Sequence, residues 1–427
     1  MGKTKTRSPS KQKDILRSTK TPLVKSGAPK TQRSIEDLLT EAAELLEQSQ
    51  PDLALPLAEE ALRRLEAERE ARAEPDHDKD IENLLLDAAA GKPTLPTALT
   101  LEAEIQLALG DVDAARRSFT RTTQLDPDGA LVSAEPWLWL AQLSEDGGRE
   151  SIGHFDKAVE VLRNEIEVLE DDEEAKRLEH TAQILDDKRA KLADALCASA
   201  EVYMTDLSWE DDAEQRCESL VTEAVAVCPD RLSAGVLQTL ASVRISQTRL
   251  DDARQALRRS MEIWKDIPLD VDDPARPDFA TRISLSRLLM EVEAETEAMV
   301  VLEGLIREDD QSVESWYLGG WCQVLRSQKT DDDNTVSSEA LTKSQEMAKA
   351  WLDNCLRLYR VQDYEDERLR DHARELVQEL NQSLGVEDQM DDDDDDAWED
   401  EDEEEDADVE VEVNGHDGPG DEDVEMS

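Results

Sequence analysis

The sequence is poor in the residues that build sheets, membrane spans and catalytic centres. Aromatics make up 4% of its 427 residues, and Gly and Pro number only 16 and 15. Few segments combine β-branched residues with strict alternation, so no sheet is expected. No apolar run is long enough to cross a bilayer. The opening MGKTKTRSPS has no apolar stretch behind its charges, so no secretory signal is expected and no membrane partner follows. The five cysteines, Cys197, Cys217, Cys228, Cys322 and Cys355, show no paired metal-ligand spacing. They read as free, mostly buried thiols of a reducing compartment, cytoplasm or nucleus. His77, His154, His180, His372 and His416 are scattered, with no HExxH pattern. GGRESIG at 147–153 lacks the Lys-Ser/Thr ending of a phosphate loop and follows no strand, so it reads as a turn. No calcium-loop pattern stands out. The expectation is a protein without catalytic residues, cofactor or metal, hence not an enzyme.

Positive charge is scarce too. Lys and Arg total 48 against 104 Asp and Glu, a formal charge of -56. Such a field repels phosphates and draws in basic proteins. Direct nucleic-acid binding would need a basic face, and only residues 1–33 offer one, with ten Lys or Arg and one acid, Asp14. This arm is expected to be disordered. It serves as a signal for a nuclear import receptor, as a weak RNA contact, or as a solvated tail. At the other end, residues 385–427 hold 24 acids and no Lys or Arg, including DDDDDD at 391–396 and EDEDEEED at 399–406. Asp391, Asp396, Trp398 and Glu405 mark this stretch, expected to be a disordered tail. It is either a polyanionic decoy for a basic partner or a solubilising tail.

What fills the middle, residues 34–384, is Ala, Leu and Glu in helical periodicity. The unit at 96–129 is similar to the tetratricopeptide repeat. Ala103 and Ala115 take its small positions 8 and 20, Phe119 its large position 24 and Pro127 position 32, with Gly110 at the inter-helix turn. Trp137, Leu140, Ala141, Ala158 and Leu162 fit a second such unit. Cys217, Val221, Ala224 and Pro229 fit a third, whose first helix spans roughly 188–206. Leu237, Ala241, Ala253 and Leu257 fit a fourth, and Leu285, Ser286, Ala298 and Leu302 a fifth. A sixth opens with Trp316 and Gly320 and resumes at Ala348 and Leu352 after TDDDN at 330–334. Residues 35–65 form a degenerate first pair, set off by a linker at 74–80, and 365–384 a closing helix. The expected fold is all-α: a right-handed superhelical tetratricopeptide-like repeat solenoid of about seven helix pairs. Acidic insertions are expected as loops at its edges.

In such repeats, first-helix positions 2, 5, 9, 12 and 13 face a concave groove. The candidates are Glu104, Gln142, Arg287, Glu291, Glu314, Tyr317 and Trp321, with Thr97, Thr100, Leu138, Gln238, Ser242 and Met290. Asp194 and Glu201 join them from the irregular third unit. The carboxylates suit Lys and Arg of an extended peptide, and Tyr317 and Trp321 suit a guanidinium. Trp137 and Trp316, at position 4, read as packing residues. The Lys and Asn clamp that some of these repeats use to hold a chaperone's terminal carboxylate has no counterpart here.

The basic arm, the repeats and the DDDDDDAWEDEDEEED tail together resemble the fungal dedicated assembly chaperones of the fourth protein of the large ribosomal subunit. That resemblance implies a basic ribosomal-protein client, captured by an extended loop in the groove, carried into the nucleus and released onto pre-ribosomes. It also implies a non-catalytic adaptor, taken here as a monomer. A histone chaperone, a scaffold subunit of a larger assembly and an RNA-processing factor remain open on the residues alone.

Overall fold

In the computed structural model, residues 33–72, 77–172, 180–332 and 338–386 are described. The basic arm, and the tail with Asp391, Asp396, Trp398 and Glu405, lie outside them. Among the described residues there are sixteen α-helices and no strand. They fall into two compact units that divide after Asp310. No described helix is long and apolar enough to cross a membrane.

The first unit contains thirteen helices, twelve of them in pairs. α1 (Ile35–Glu47) pairs with α2 (Pro51–Arg72), and α3 (His77–Ala89) follows as an extra helix. Then come α4 (Leu95–Ala108) with α5 (Val112–Leu125), and α6 (Glu135–Gln142) with α7 (Gly148–Asp171). α8 (Thr181–Met204) pairs with α9 (Ala213–Val227), α10 (Ala234–Ser246) with α11 (Leu250–Trp264), and α12 (Phe279–Glu291) with α13 (Glu295–Glu308). The second unit holds α14 (Val313–Asp332), α15 (Ser338–Val361) and α16 (Glu367–Leu384). This is the tetratricopeptide-like fold expected from the repeat pattern.

Small residues stand where the paired helices cross. Ala103, Ala115, Ala158, Ala241, Ala253, Ser286 and Ala298 are buried, with Phe119, Leu162, Leu257 and Leu302 filling the gaps beside them. At one crossing a hydroxyl ties the pair: Ser260 Oγ donates to the Ala234 carbonyl at 2.8 Å. The cap residues set several starts. Asp111 accepts from the Ala114 amide at 3.0 Å and Asp278 from the Thr281 amide at 2.7 Å, satisfying donors that a helix start leaves open. Between α5 and α6, buried Asp126 accepts from the amides of Ala130, Leu131 and Val132 at 2.8–2.9 Å and so orders the connection. The GGRESIG stretch, read as a turn, is mostly helix: only Gly147 precedes α7, as its N-cap, and 148–153 form the first turns of that helix. Gly147 and Gly148 sit at φ +56° and +47°, where L side chains are disfavoured. The Gly148 amide donates to Asp206 Oδ2 at 3.0 Å.

Element boundaries differ from the sequence expectation where charge is dense. The linker at 74–80 is shorter than expected, because α3 already begins at His77. α8 begins at Thr181 rather than near 188. α14 runs to Asp332, into the acidic stretch read as a loop. Charged residues on a solvated face do not by themselves break a helix, and Asp is tolerated near helix ends, so several insertions lengthen helices instead of interrupting them.

In the second unit the position-8 glycine is a steric requirement. A Cβ on Gly320 would lie 2.6 Å from Leu352 Cγ and 3.2 Å from its backbone nitrogen. One on Gly319 would lie 2.0 Å from the Trp351 ring. Trp351 in turn meets Trp316 edge-on at 4.9 Å. Gly320→Val is therefore expected to destabilise by about 1–3 kcal/mol, the usual cost of overfilling a packed contact. Gly304→Ala in α13, where a Cβ would meet nothing within 4 Å, should stabilise by about 0.5–1 kcal/mol through helix propensity. Denaturant melts of the two variants test this pair. Equal shifts would show that the α14–α15 contact is not tight.

Candidate functional site

The site is built on α8. One face of this helix buries Leu192, Ala193, Leu196, Cys197, Ala200 and Tyr203. The opposite strip, Asp194, Ala198 and Glu201, follows the i, i+4, i+7 spacing that places residues on one side of a helix. α10 packs between α8 and α12. The three helices enclose a cavity of about 330 Å³ lined by that strip, by Gly235, Gln238, Thr239 and Ser242 of α10, and by Thr281, Ser284 and Leu288 of α12. Two carboxylates face it, and no Lys or Arg lines it.

Both carboxylates are reached by solvent, yet protein walls them on most sides because they stand in a concavity. Partial desolvation is enough to disfavour their charge. Burial pushes Asp194 above the usual carboxylate range, and Lys191 offsets this only in part. Burial likewise raises Glu201, against a hydrogen bond donated by Thr239 Oγ1 at 3.3 Å. The floor thiol Cys197 is pushed up to about 12, chiefly by burial. All five cysteines are free and buried, and therefore poor nucleophiles.

Further along the same faces, Glu104 of α4, Glu135 of α6 and Lys191 of α8 come together. Lys191 Nζ donates to Glu135 Oε1. Burial opposes ionisation of Glu135, but the bond from Lys191, helped by its own backbone amide and Ser133, outweighs it and holds the carboxyl low. Glu104 has no such bond. Burial, with repulsion from Glu135, holds it high. Negative charge in this region is thus uneven: Glu135 is balanced, whereas Glu104, Asp194 and Glu201 are under-balanced.

The other candidates are placed differently. Thr97 is used in the α4 capping box with Thr94, and Thr100 Oγ1 donates to the Pro96 carbonyl at 3.0 Å. Gln142 is exposed at the last residue of α6. In α12 the cavity strip is Thr281, Ser284 and Leu288. Arg287 and Glu291 are exposed and do not line it, and Met290 is buried. The Asp278 cap fixes where α12 starts. Glu314, Tyr317 and Trp321 lie half-buried on α14 in the second unit. There Tyr317 Oη is 2.7 Å from His372 Nδ1 of α16, and the Trp321 ring meets that imidazole edge-on at 5.2 Å. The two aromatics pack against the closing helix, which takes the surface assigned to a guanidinium.

Sequence reasoning missed Glu135, Lys191, Thr239, Ser284 and Leu288. For Lys191 a signal was present: it precedes Asp194 by three residues and shares its face. Among the described residues no cluster of His, Cys, Asp or Glu is arranged to hold a metal. The arrangement is an acidic concavity with small, hydroxyl-bearing walls, whose chemistry suits cations.

No family model matches the chain. It is 41% identical over 395 residues, 89% of its length and 90% of the relative's, to the Emericella nidulans protein described as "Probable assembly chaperone of rpl4". A Schizosaccharomyces pombe protein of the same description is 33% identical over 293 residues, covering 68% of this chain and 81% of that one. The solved structure "Assembly Chaperone of RpL4 (Acl4) (Residues 1-338)" superposes with a TM-score of 0.61 at 41% identity. It covers 71% of this chain and is itself covered completely.

Proposed function

This chain belongs to the family of assembly chaperones of rpl4, and on that premise we propose that it binds and shields a newly made rpl4. The client is a basic large-subunit ribosomal protein, held by an extended positive segment in the acidic groove of the 33–310 unit. The observation that carries this reading is the 41% identity over 89% of the chain. The cavity beside Asp194 and Glu201, lined by no Lys or Arg, supports it. A free ribosomal loop is extended and strongly positive. Pairing it with partly desolvated carboxylates neutralises it reversibly, because hydrogen bonds to charged groups strengthen where water is thinned. Ribosomal RNA, with a denser charge, displaces it. The acidic tail adds generic shielding, and the 1–33 arm directs the complex through an import receptor to nuclear pre-ribosomes. The role is carried out by a monomer without catalysis.

The test is a titration of purified chain with rpl4, alongside a histone of similar net charge. The rpl4 complex should form at low salt and weaken by about an order of magnitude or more as screening shortens from ~10 Å at 0.1 M towards ~3 Å at 1 M. No complex at low salt would sink the proposal. Equal capture of the histone would transfer the function to a histone chaperone.

A further inference from the structure

We propose that a cation-lined cavity between α1, α2 and α3, continued by the 1–32 arm, binds the phosphate backbone of single-stranded RNA. It stands apart from the acidic groove and from the client reading. The cavity exists because α3 interrupts the pairing of helices. With its residues Asn83, Leu84 and Asp87, this extra helix closes off about 670 Å³ beside α2, a volume in the range of ligand sites. Arg33, Arg63, Arg64, Arg69, Arg72 and Lys92 line it, against Glu36, Glu68 and Asp87. Even with Glu41 and Glu60 counted, the partners of Arg33, Arg63 and Arg64, cations are in excess. That runs against a chain with 104 acids and 48 bases.

The acids bracket these cations rather than consume them. Asp87 accepts from Arg72 and, at 2.9 Å, from Lys92. Those bonds hold its carboxyl below the usual range, so it stays ionised. Glu60 accepts from Arg63 Nε at 2.9 Å and from Arg64 Nε at 2.7 Å. Each of these carboxylates thus fixes two cations, and each group keeps a net positive charge. A guanidinium has five donors, so one or two internal bonds leave others to offer. Its planar fork matches phosphate oxygens.

The arm continues the site because it starts from the cavity's wall. Arg64 Nη1 donates to the Arg33 carbonyl at 2.6 Å, which fixes the point where the described chain begins. Residues 1–32 carry nine further Lys or Arg and one acid. These are scattered along the segment, which suits a line of phosphates better than one compact anion. A nucleic-acid strand also releases condensed counterions when it is neutralised, a gain that an acidic peptide of equal charge lacks. No aromatic side chain lines the cavity, so it offers bases no stacking platform and is indifferent to sequence. Its recessed shape admits one strand more readily than a duplex. The net charge of -56 does not forbid this. The Debye length is ~8 Å at physiological ionic strength, so exposed charges farther off are largely screened.

The experiment is a titration of full-length chain against labelled single-stranded RNA of about 20 nucleotides, read by fluorescence anisotropy across a salt series. All-uridine and mixed sequences should bind alike, and a duplex of the same length more weakly. The R63Q/R69Q/K92Q variant should bind about tenfold more weakly, the effect of losing three exposed charge pairs. Its plot of log affinity against log salt should be shallower by about 2, at ~0.7 for each lost phosphate contact. The arm variant K11Q/K13Q/R17Q should show a similar loss. Far-UV circular dichroism and rpl4 capture should be unchanged in both. Should the triple variant lose helicity, Lys92→Gln alone carries the test, with a slope shallower by about 0.7. No binding to RNA at about 50 mM salt, or an unchanged slope in the cavity variants, overturns the site. A peptide of the tail sequence EDEDEEED that displaces the RNA at equal charge concentration overturns the choice of RNA and makes the partner an acidic protein.

Discussion

Reversing Asp194 and Glu201 together to lysine should lower affinity for rpl4 by at least about 100-fold while leaving helicity unchanged. Each reversal removes one attraction and adds one repulsion at a groove position. Two unit charges about 5 Å apart interact by roughly 3 kcal/mol at an effective dielectric constant near 20. Even if screening leaves about 1 kcal/mol of each attraction and each repulsion, the four contributions exceed the ~2.7 kcal/mol that a hundredfold change requires. Helicity should survive because both side chains leave the buried face of α8 untouched. Binding isotherms with far-UV circular dichroism as the folding control decide the matter. A loss of less than about tenfold would show that the client is held elsewhere.

The neutral variants Asp194→Asn and Glu201→Gln sharpen the same point through stability. Burial raises both carboxyls above their unfolded values, so the folded chain binds more protons than the unfolded chain over that interval. Stability is then lost as pH rises from the ordinary carboxylate range through the raised values, and regained on acidification. At neutral pH both charges are a cost to the free protein. Neutralising them should raise the melting temperature while weakening capture, the opposite signs expected of a site held ready for a ligand. Client cations, by contrast, favour the ionised forms, so capture should fall as pH drops through the raised values.

Phe119→Ala is expected to cost about 3–5 kcal/mol of unfolding free energy, the range for deleting a buried aromatic. The ring is fully buried and shares a cluster with Ala103, Ala115 and Leu140. It stacks on Trp139 of α6 at 6.4 Å with a 15° tilt. It therefore joins the α4–α5 pair to the next pair. In an array stabilised by neighbouring contacts, that joint cannot be replaced from elsewhere. Phe119→Leu refills much of the volume and should lose less than half as much. Denaturant titrations with unchanged slope would measure both. Similar losses for the two variants would mean that the ring's stacking, rather than its volume, is the larger part.

The sequence alone determined the helices, their pairing and the sign of the charge. Ala103, Ala115 and Phe119 state the crossing of α4 and α5, because the rules that join two adjacent helices act over a short stretch of chain. Gly320 states another crossing for the same reason. Tertiary structure alone decided which carboxylates stand under-balanced and which aromatics are available. Lys191 reaches Glu135 across 56 residues, and Tyr317 reaches His372 across 55. These pairings depend on the accumulated rotation of successive repeats. In this chain that rotation is altered by helices of unequal length, such as the eight residues of α6 beside the twenty-four of α7 and of α8. A single repeat's pattern carries no record of that sum. The acidic groove was therefore legible as a charge and a face, whereas Asp194, Glu201 and Gln238 around one cavity became visible only when three first helices were packed side by side.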